Sequence, residues 1–305
     1  MSKVKKVLIA PSSFGELDKA PLEKLESNGF EIVPNPFRRK LTEKELKDLL
    51  PGVTGLIAGL ETIDRKVMEK SSLKVISRCG VSMNNIDLVA ARELGIPVMN
   101  TPDAPTVAVA ELTVGAMLAL LRMIPLMDRE LHEKKWTKKI GTQLSGKTVA
   151  IIGFGRIGRQ VATLLRPFEV KMLAVDKFLK GTIEHVEIVT LQDALKQADI
   201  VTLHVSGASQ LLGKDEFAMM KDGVYILNAA RGEVIDEDSL AKAVKSGKVA
   251  GAWLDTFSEE PYQGPLTDLP QVILTPHVGS YSLECRQRME MEAVDNLLNA
   301  WKNAD

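Results

Sequence analysis

A chain of 305 residues exceeds what one hydrophobic core usually supports, so two domains are expected. A formal net charge of -1, with 45% hydrophobic and 26% charged residues, is an ordinary globular balance and excludes the basic excess of a nucleic-acid or anionic-membrane binder. The two cysteines, Cys79 and Cys285, are too few for a disulfide scaffold and suit a reducing cytoplasm.

The opening segment, MSKVKKVLIAPSS, carries lysines but only a short apolar run, and reads as a first strand rather than a signal peptide. Further β-prone runs follow in EIVP, GLIAG, LKVIS and IPVMN, separated by segments with helical spacing such as TEKELKDLL and DLVAARELG. Residues 107–127, VAVAELTVGAMLALLRMIPLM, have nearly the length of a membrane span. Glu111, Arg122 and Pro125 interrupt them, so a long buried helix over 107–124 is expected instead. The alternation restarts at TVAIIG and continues through KMLAVD, DIVTLHV, GVYILNAA, VAGAWLD and VILTPH. Repeated strand–helix units with strands apolar on both faces predict an α/β protein of two doubly wound parallel-sheet domains. The closing amphipathic stretch SLECRQRMEMEAVDNLLNAWKN either caps the second sheet or crosses back to the first domain.

The segment GKTVAIIGFGRIGRQVATLL places Gly153, Gly155 and Gly158 in a G-x-G-x-x-G spacing between an apolar strand and a helical pattern. In that setting Gly153 permits a tight turn, Gly155 lets backbone approach a pyrophosphate, and Gly158 lets helix pack on strand. The helix N-terminus then offers N–H groups to phosphates. Asp176, at the end of the next strand, can accept from both ribose hydroxyls of NAD and repels the 2′-phosphate of NADP. Lys177 beside it does not outweigh the acid. A glycine turn with a surface Asp is the plainer reading, but strand, helix and acid together indicate a dinucleotide site.

Polar residues recur at the ends of later strands, where ligands of open α/β sheets bind. Arg231 follows GVYILNAA, Asp255 follows VAGAWL with Glu260 just beyond, and His277 follows VILTP. Each alone could be a surface or structural residue, and Glu259 competes with Glu260. Three strands delivering an arginine, a carboxylate and a histidine to one rim beside a nicotinamide form a chemical set. Reduction of a 2-oxo acid needs a hydride donor, a proton donor to the nascent alkoxide and a cation for the carboxylate. The planar fork of Arg231 suits the carboxylate. His277 suits the proton, and a paired Glu260 favours its imidazolium form. His204, which also ends a strand, is the rival imidazole and is placed on the cofactor wall. His132 and His185 lie in polar, solvated segments. No metal-ligand spacing is present.

The segments LSGKTVAIIGFGRIG, NAARGEVIDEDSL, LDTFSEEP and TPHVGS, in this order, and SRCGVSMNNIDLVAARELGIPVMNTP ahead of them, resemble the D-isomer-specific 2-hydroxyacid dehydrogenases, in particular the D-3-phosphoglycerate dehydrogenases. The resemblance covers nearly the whole chain. It implies a flavodoxin-like substrate domain built from both chain ends (1–100 plus 280–305), a Rossmann NAD domain (101–279) and a cytoplasmic homodimer formed largely through the latter. It also implies Arg231, Glu260 and His277 as catalytic residues. Arg156 and Ile157 then meet the pyrophosphate and Asp176 the adenosine ribose. Ala229, Ala230, Arg231, Asp255, His277, Gly279 and Ser280 flank the nicotinamide, with His204 and Val205 on the cofactor wall. Backbone near Val81 and Ser82 holds the substrate carboxylate.

The chain departs from the family pattern in three places. Ser82 and Asn84 stand where Gly and Asp are usual, VSGASQLLG after His204 is short and proline-free, and Gly59 stands where phosphoglycerate enzymes often carry an arginine. Arg78 and Lys138 are then the remaining candidates for a substrate phosphate. With no regulatory domain following, serine feedback is not expected. The expected activity is therefore NAD-dependent interconversion of a D-2-hydroxy acid and its 2-oxo acid, with 3-phosphoglycerate as leading substrate. Glyoxylate or hydroxypyruvate reduction is the close alternative, and a nucleotide-sensing corepressor-like protein is the alternative of another class.

Overall fold

The computed structural model describes residues 5–207 and 209–304, whose contacts divide into two compact units, Met1–Pro105 with Ser280–Asp305, and Thr106–Gly279. The expected boundary at 100/101 moves to 105/106. The backbone explains the shift: the Thr101 N–H donates to the Gly80 carbonyl and the Gly80 N–H to Thr101 Oγ1, holding the segment to the first sheet.

In the first unit, strands β1 (Lys5–Ile9), β2 (Phe30–Pro34), β3 (Gly55–Ala58), β4 (Val75–Arg78) and β5 (Val98–Met99) form a parallel sheet of order β2-β1-β3-β4-β5. Helices α1 (Ala20–Ser27), α2 (Glu43–Leu49), α3 (Arg65–Glu69) and α4 (Leu88–Glu93) connect them. Polar side chains start three of these helices. Thr42 and Glu45 form a reciprocal capping box on α2, while Asp64 and Asp87 accept the N–H groups of Val67 and Ala90. The order 2-1-3-4-5 is that of the flavodoxin-like doubly wound fold.

The second unit opens with α5 (Pro105–Leu121) and α6 (Ile124–His132), bent by 65°. The single long helix expected here is thus two, broken at Met123, which takes a left-handed φ of 52°. No single described helix is long and apolar enough to cross a membrane. Helix α5 is instead a core element, packing Ala110, Met117, Leu120 and Leu121 against the sheet residues Val149, Ile151 and Trp253.

The sheet contains β6 (Thr148–Ile152), β7 (Lys171–Val175), β8 (Gly181–Ile183), β9 (Val186–Ile188), β10 (Ile200–Leu203), β11 (Val224–Asn228), β12 (Val249–Leu254) and β13 (Val272–Leu274), in the order β13-β12-β11-β10-β6-β7-β9-β8. All neighbours pair in parallel except β8, which runs antiparallel to β9. Helices α7 (Arg156–Leu165), α8 (Leu191–Gln197), α9 (Lys214–Met219) and α10 (Glu237–Lys245) cover the faces. Strands such as Ile200–Leu203 are buried at every position, as two-sided coverage requires. Each such Leu, Ile or Val contributes about 1.5–3 kcal/mol of transfer free energy.

The last helix, α11 (Leu283–Ala304), settles the alternative left open by its amphipathic pattern. It places Met289, Ala293, Val294 and Leu297 in the core of the first unit, against Val7, Ile57 and Val75.

Candidate active site

The turn from β6 into α7 shows what its glycines do. Gly153 has φ 96°, and a Cβ there would stand 2.6 Å from the His204 carbonyl oxygen. A Cβ on Gly158 would overlap the Gly153 carbonyl, so helix and strand approach only because it is absent. Around Gly155, in contrast, a Cβ would meet nothing within 4 Å. That open space lies at the N-cap of a ten-residue helix, whose first-turn N–H groups have no intrahelical acceptor. Ile157 is half-buried and Arg156 exposed beside it. A pyrophosphate is accommodated by such a cradle without displacing protein atoms.

Asp176, immediately after β7, is held by two backbone donors: Phe154 N–H to Oδ2 at 3.2 Å and Phe178 N–H to Oδ1 at 2.9 Å. The acid expected to meet a ribose is thereby locked to the glycine-rich turn. Beside it a cleft of about 540 Å³ is lined by Val175, Asp176, Lys177, Ile188 and Val189. The residues present therefore fit a dinucleotide.

His204 faces inward. Its Nε2 is 2.9 Å from Thr202 Oγ1, and its Nδ1 is sealed from solvent without a partner among the described residues. Burial pushes its pKa down to about 3, so it is a neutral ring whose backbone forms the wall against Gly153. Val205 is half-buried, and Ala208 in the shortened segment lies outside the described residues.

On the other side of the sheet, the turn after β11 is fixed by the buried Asn228. Its side chain accepts the Ala230 N–H at 3.0 Å and donates to the Arg231 carbonyl at 2.9 Å. Arg231 spends one donor, Nη1, on the Ala230 carbonyl at 2.6 Å. Gly232 has no left-handed φ that would call for a glycine; close approach does. A Cβ there would overlap the Phe257 carbonyl carbon and the Ser258 nitrogen, so the turn carrying Arg231 lies directly on the segment leading to Glu260.

Glu260 accepts the Phe257 N–H at 3.2 Å and meets His277 Nδ1 at 3.1 and 3.0 Å through its two oxygens. Since an ionised carboxylate only accepts, Nδ1 carries the proton in this pair and Nε2 is left for other chemistry. His277 itself has a left-handed φ of 53°. Asp255, 1% exposed, explains how that conformation is held. It accepts from Val278 N–H at 2.9 Å, Gly279 N–H at 2.7 Å and Thr275 Oγ1 at 2.6 Å, and Trp253 Nε1 donates to Thr275 Oγ1 at 3.0 Å. Asp255 thus clamps both sides of His277, a role its place after a strand did not disclose. The buried Asn228 and the clamping Thr275 are functional supports that the sequence reading left out. A cleft of about 570 Å³, lined by Phe257, Glu260, Tyr262, Leu274 and His277, opens behind the pair.

In the first unit, the N–H groups of Val81 and Ser82 have no hydrogen-bond acceptor among the described residues, while Asn100 holds the Val81 carbonyl at 2.7 Å. Arg78 is buried. Its Nη1 donates to the Cys79 carbonyl and its Nε has no partner among the described residues. Lys138 is exposed on the second unit, and Ser280 belongs to the first. Among the described residues no cluster of His, Cys, Asp or Glu could hold a metal ion.

Comparison with known proteins identifies the family. Residues 114–279 match the family described as D-isomer specific 2-hydroxyacid dehydrogenase, NAD binding domain. A D-3-phosphoglycerate dehydrogenase of Archaeoglobus fulgidus is 35% identical over 97% of this chain and 57% of its own length. A hydroxypyruvate reductase of Thermotoga maritima is 39% identical over 84% of the chain and 88% of its own. A glyoxylate reductase from Paecilomyes thermophila superposes with a TM-score of 0.86 at 28% identity, covering 98% of this chain and 96% of that one. The chain spans about half the length of the D-3-phosphoglycerate dehydrogenases it matches.

Proposed function

Because the chain belongs to the D-isomer-specific 2-hydroxyacid dehydrogenase family, we propose that it interconverts a D-2-hydroxy acid and its 2-oxo acid with NAD, acting best on a small unphosphorylated substrate such as hydroxypyruvate or glyoxylate. The observation carrying the reaction class is the His277–Glu260 pair, held by Asp255 on the same rim of the second unit as Arg231. The glycine-rich turn, the start of α7 and Asp176 would hold NAD, which would supply the hydride acceptor or donor for C2. His277 Nε2 gives the proton to the nascent alkoxide in reduction and takes the hydroxyl proton in oxidation. Glu260, on Nδ1, keeps the ring oriented and balances the imidazolium charge. Arg231 retains free donors for a substrate carboxylate, which its fork binds in two places. The Val81 and Ser82 N–H groups offer a second set of donors for an anion on the first unit.

Asp176 supports NAD over NADP, since a carboxylate at this strand end would repel a 2′-phosphate. A second reading, 3-phosphoglycerate oxidation, is favoured by the phosphoglycerate relatives. Against it stand Gly59, which carries no cation, and Arg78, turned onto its own backbone. Composition and charge give the corepressor-like reading no basic excess to support it. A cytoplasmic homodimer remains part of the proposal. The test is an NADH oxidation screen with hydroxypyruvate, glyoxylate, 3-phosphohydroxypyruvate and larger 2-oxo acids. Turnover of the first two is expected, and silence with every substrate rejects the reductase.

A further inference from the structure

The pair that passes the proton poses a problem of placement. Glu260 lies in residues 255–264, a stretch with neither helix nor strand between β12 and a short 3₁₀ helix (Pro265–Asp268), and its side chain is 40% exposed. A carboxylate on such a segment has many conformations open to it. Its Oε1 accepts the Phe257 N–H at 3.2 Å, a bond inside its own loop. That donor aims the carboxylate only while Phe257 and Glu260 keep their separation.

Tyr262 supplies the restraint. Its ring stacks on that of Phe257, with centroids 4.4 Å apart and planes 19° from parallel, so the chain just before Glu260 and just after it is joined face to face. The Tyr262 hydroxyl accepts the Leu266 N–H at 3.3 Å. A Cβ on Gly264 would stand 2.4 Å from that hydroxyl oxygen, so the loop closes round the ring at a glycine. Both ends are anchored. Phe257 and Leu266, 8% and 0% exposed, belong to the core of the second unit, and the Ser258 N–H donates to Glu237 Oε1 at 2.8 Å at the start of α10. The same two rings, with Pro261, Leu274 and Pro276, form the apolar wall of the cleft behind the pair. Removing the Tyr262 ring opens that wall and gives the carboxylate room to withdraw from His277.

The hydroxyl itself passes no proton. Burial, with the nearby charges of Glu237 and Asp238, raises the Tyr262 pKa against the opposing Leu266 amide, so the phenol stays neutral. Whatever Tyr262 contributes to turnover runs through Glu260.

We propose that Tyr262 is a positioning residue for the Glu260–His277 pair: its ring, stacked on Phe257, closes the loop over residues 257–266 and holds the Glu260 carboxylate on His277 Nδ1. The inference rests on the dehydrogenase reading of that pair and adds to it the group that keeps the pair together.

The experiment measures kcat and KM by NADH oxidation, on the 2-oxo acid turned over fastest in the screen above, and NADH affinity by fluorescence titration. It compares wild type, Tyr262→Phe, Tyr262→Leu, Glu260→Ala and the double variant Tyr262→Leu with Glu260→Ala. Tyr262→Leu is expected to lower kcat about tenfold, with KM and NADH affinity changed by less than about twofold. Tyr262→Phe keeps the stack and loses only the bond to Leu266, so it should stay within about threefold of wild type. On Glu260→Ala, where no carboxylate is left to place, Tyr262→Leu should cost less than about twofold. Equal losses in the two backgrounds, a Tyr262→Phe as slow as Tyr262→Leu, or a loss confined to KM overturns the assignment. Should Tyr262→Leu fail to fold, Tyr262→Met, whose flexible side chain refills irregular gaps, carries the same comparisons. Absence of turnover in wild type on every 2-oxo acid rejects the dehydrogenase reading itself. Turnover with any of those three results rejects only Tyr262.

Discussion

On the second unit the side chains of Glu260 and His277 are 40% and 54% exposed, whereas on the first Glu61, Arg78 and Glu290 are 1%, 7% and 1% exposed. Under the proposed function the difference follows from what each set does. Groups that pass a proton must reach a ligand and exchange with water, so they stand open and are aimed by buried neighbours such as Asp255. Groups that only hold backbone in place work best where burial leaves them one conformation. Glu290 belongs to the second kind for structural reasons, accepting the Gly15 N–H at 2.8 Å and an Arg286 guanidinium at 3.0 Å.

The contrast can be broken most severely at Gly232. Gly232→Ala forces a Cβ into the Phe257–Ser258 backbone, and a loss of about 4 kcal/mol or more is expected for the second unit, read by denaturant unfolding. Preserved stability shows that the two segments can part cheaply. His277→Ala comes next. It should lower kcat by about 100- to 10,000-fold while NADH still binds, measured by turnover and fluorescence titration. Normal turnover on the true substrate removes the acid–base assignment. Asp255→Asn sharpens the distinction between acting and aiming. Its amide can no longer accept from Gly279 and Val278 together, so kcat is expected to fall about tenfold with KM little changed.

The most distributed effect is the opposite response of the two units to pH. The His204 pKa is depressed to about 3, so between about pH 6.5 and 3 the unfolded chain binds the proton that the folded one refuses. The second unit therefore loses stability as pH falls through that window, by at most about 1.4 kcal/mol per pH unit. Glu61 and Glu290 are raised by burial, so their contribution is full in acid and fades as pH rises through their folded values. Hydrogen exchange resolved by unit should show the two slopes with opposite signs. His204→Gln should flatten one and Glu61→Gln the other, and parallel slopes contradict the assignment.

Much of this protein was legible before folding. Strands such as VYILN and VAGAWL announce themselves by apolar runs, because a strand covered on both faces has no polar side. The G-x-G-x-x-G spacing and Asp176 are equally local signals, since turn, helix start and acid follow one another along the chain. The β8–β9 hairpin gave no such sign. Its turn residues Glu184 and His185 take left-handed φ of 49° and 71° without a glycine, and His185 read simply as a solvated residue. The break at Met123 was hidden in the same way, inside an apolar run.

By itself the sequence determined the α/β alternation, the glycine-rich turn and the placing of Arg231, Glu260 and His277 just beyond strand ends, because each depends on residue type and near-neighbour spacing. Only tertiary structure decided that Asp255 clamps the histidine loop, that Gly232 is required by a neighbouring segment, and that Glu61 fills the space of residue 59. The first two relations join atoms from different loops, and no spacing along a chain encodes a distance between loops; the third depends on a side-chain orientation that spacing does not set.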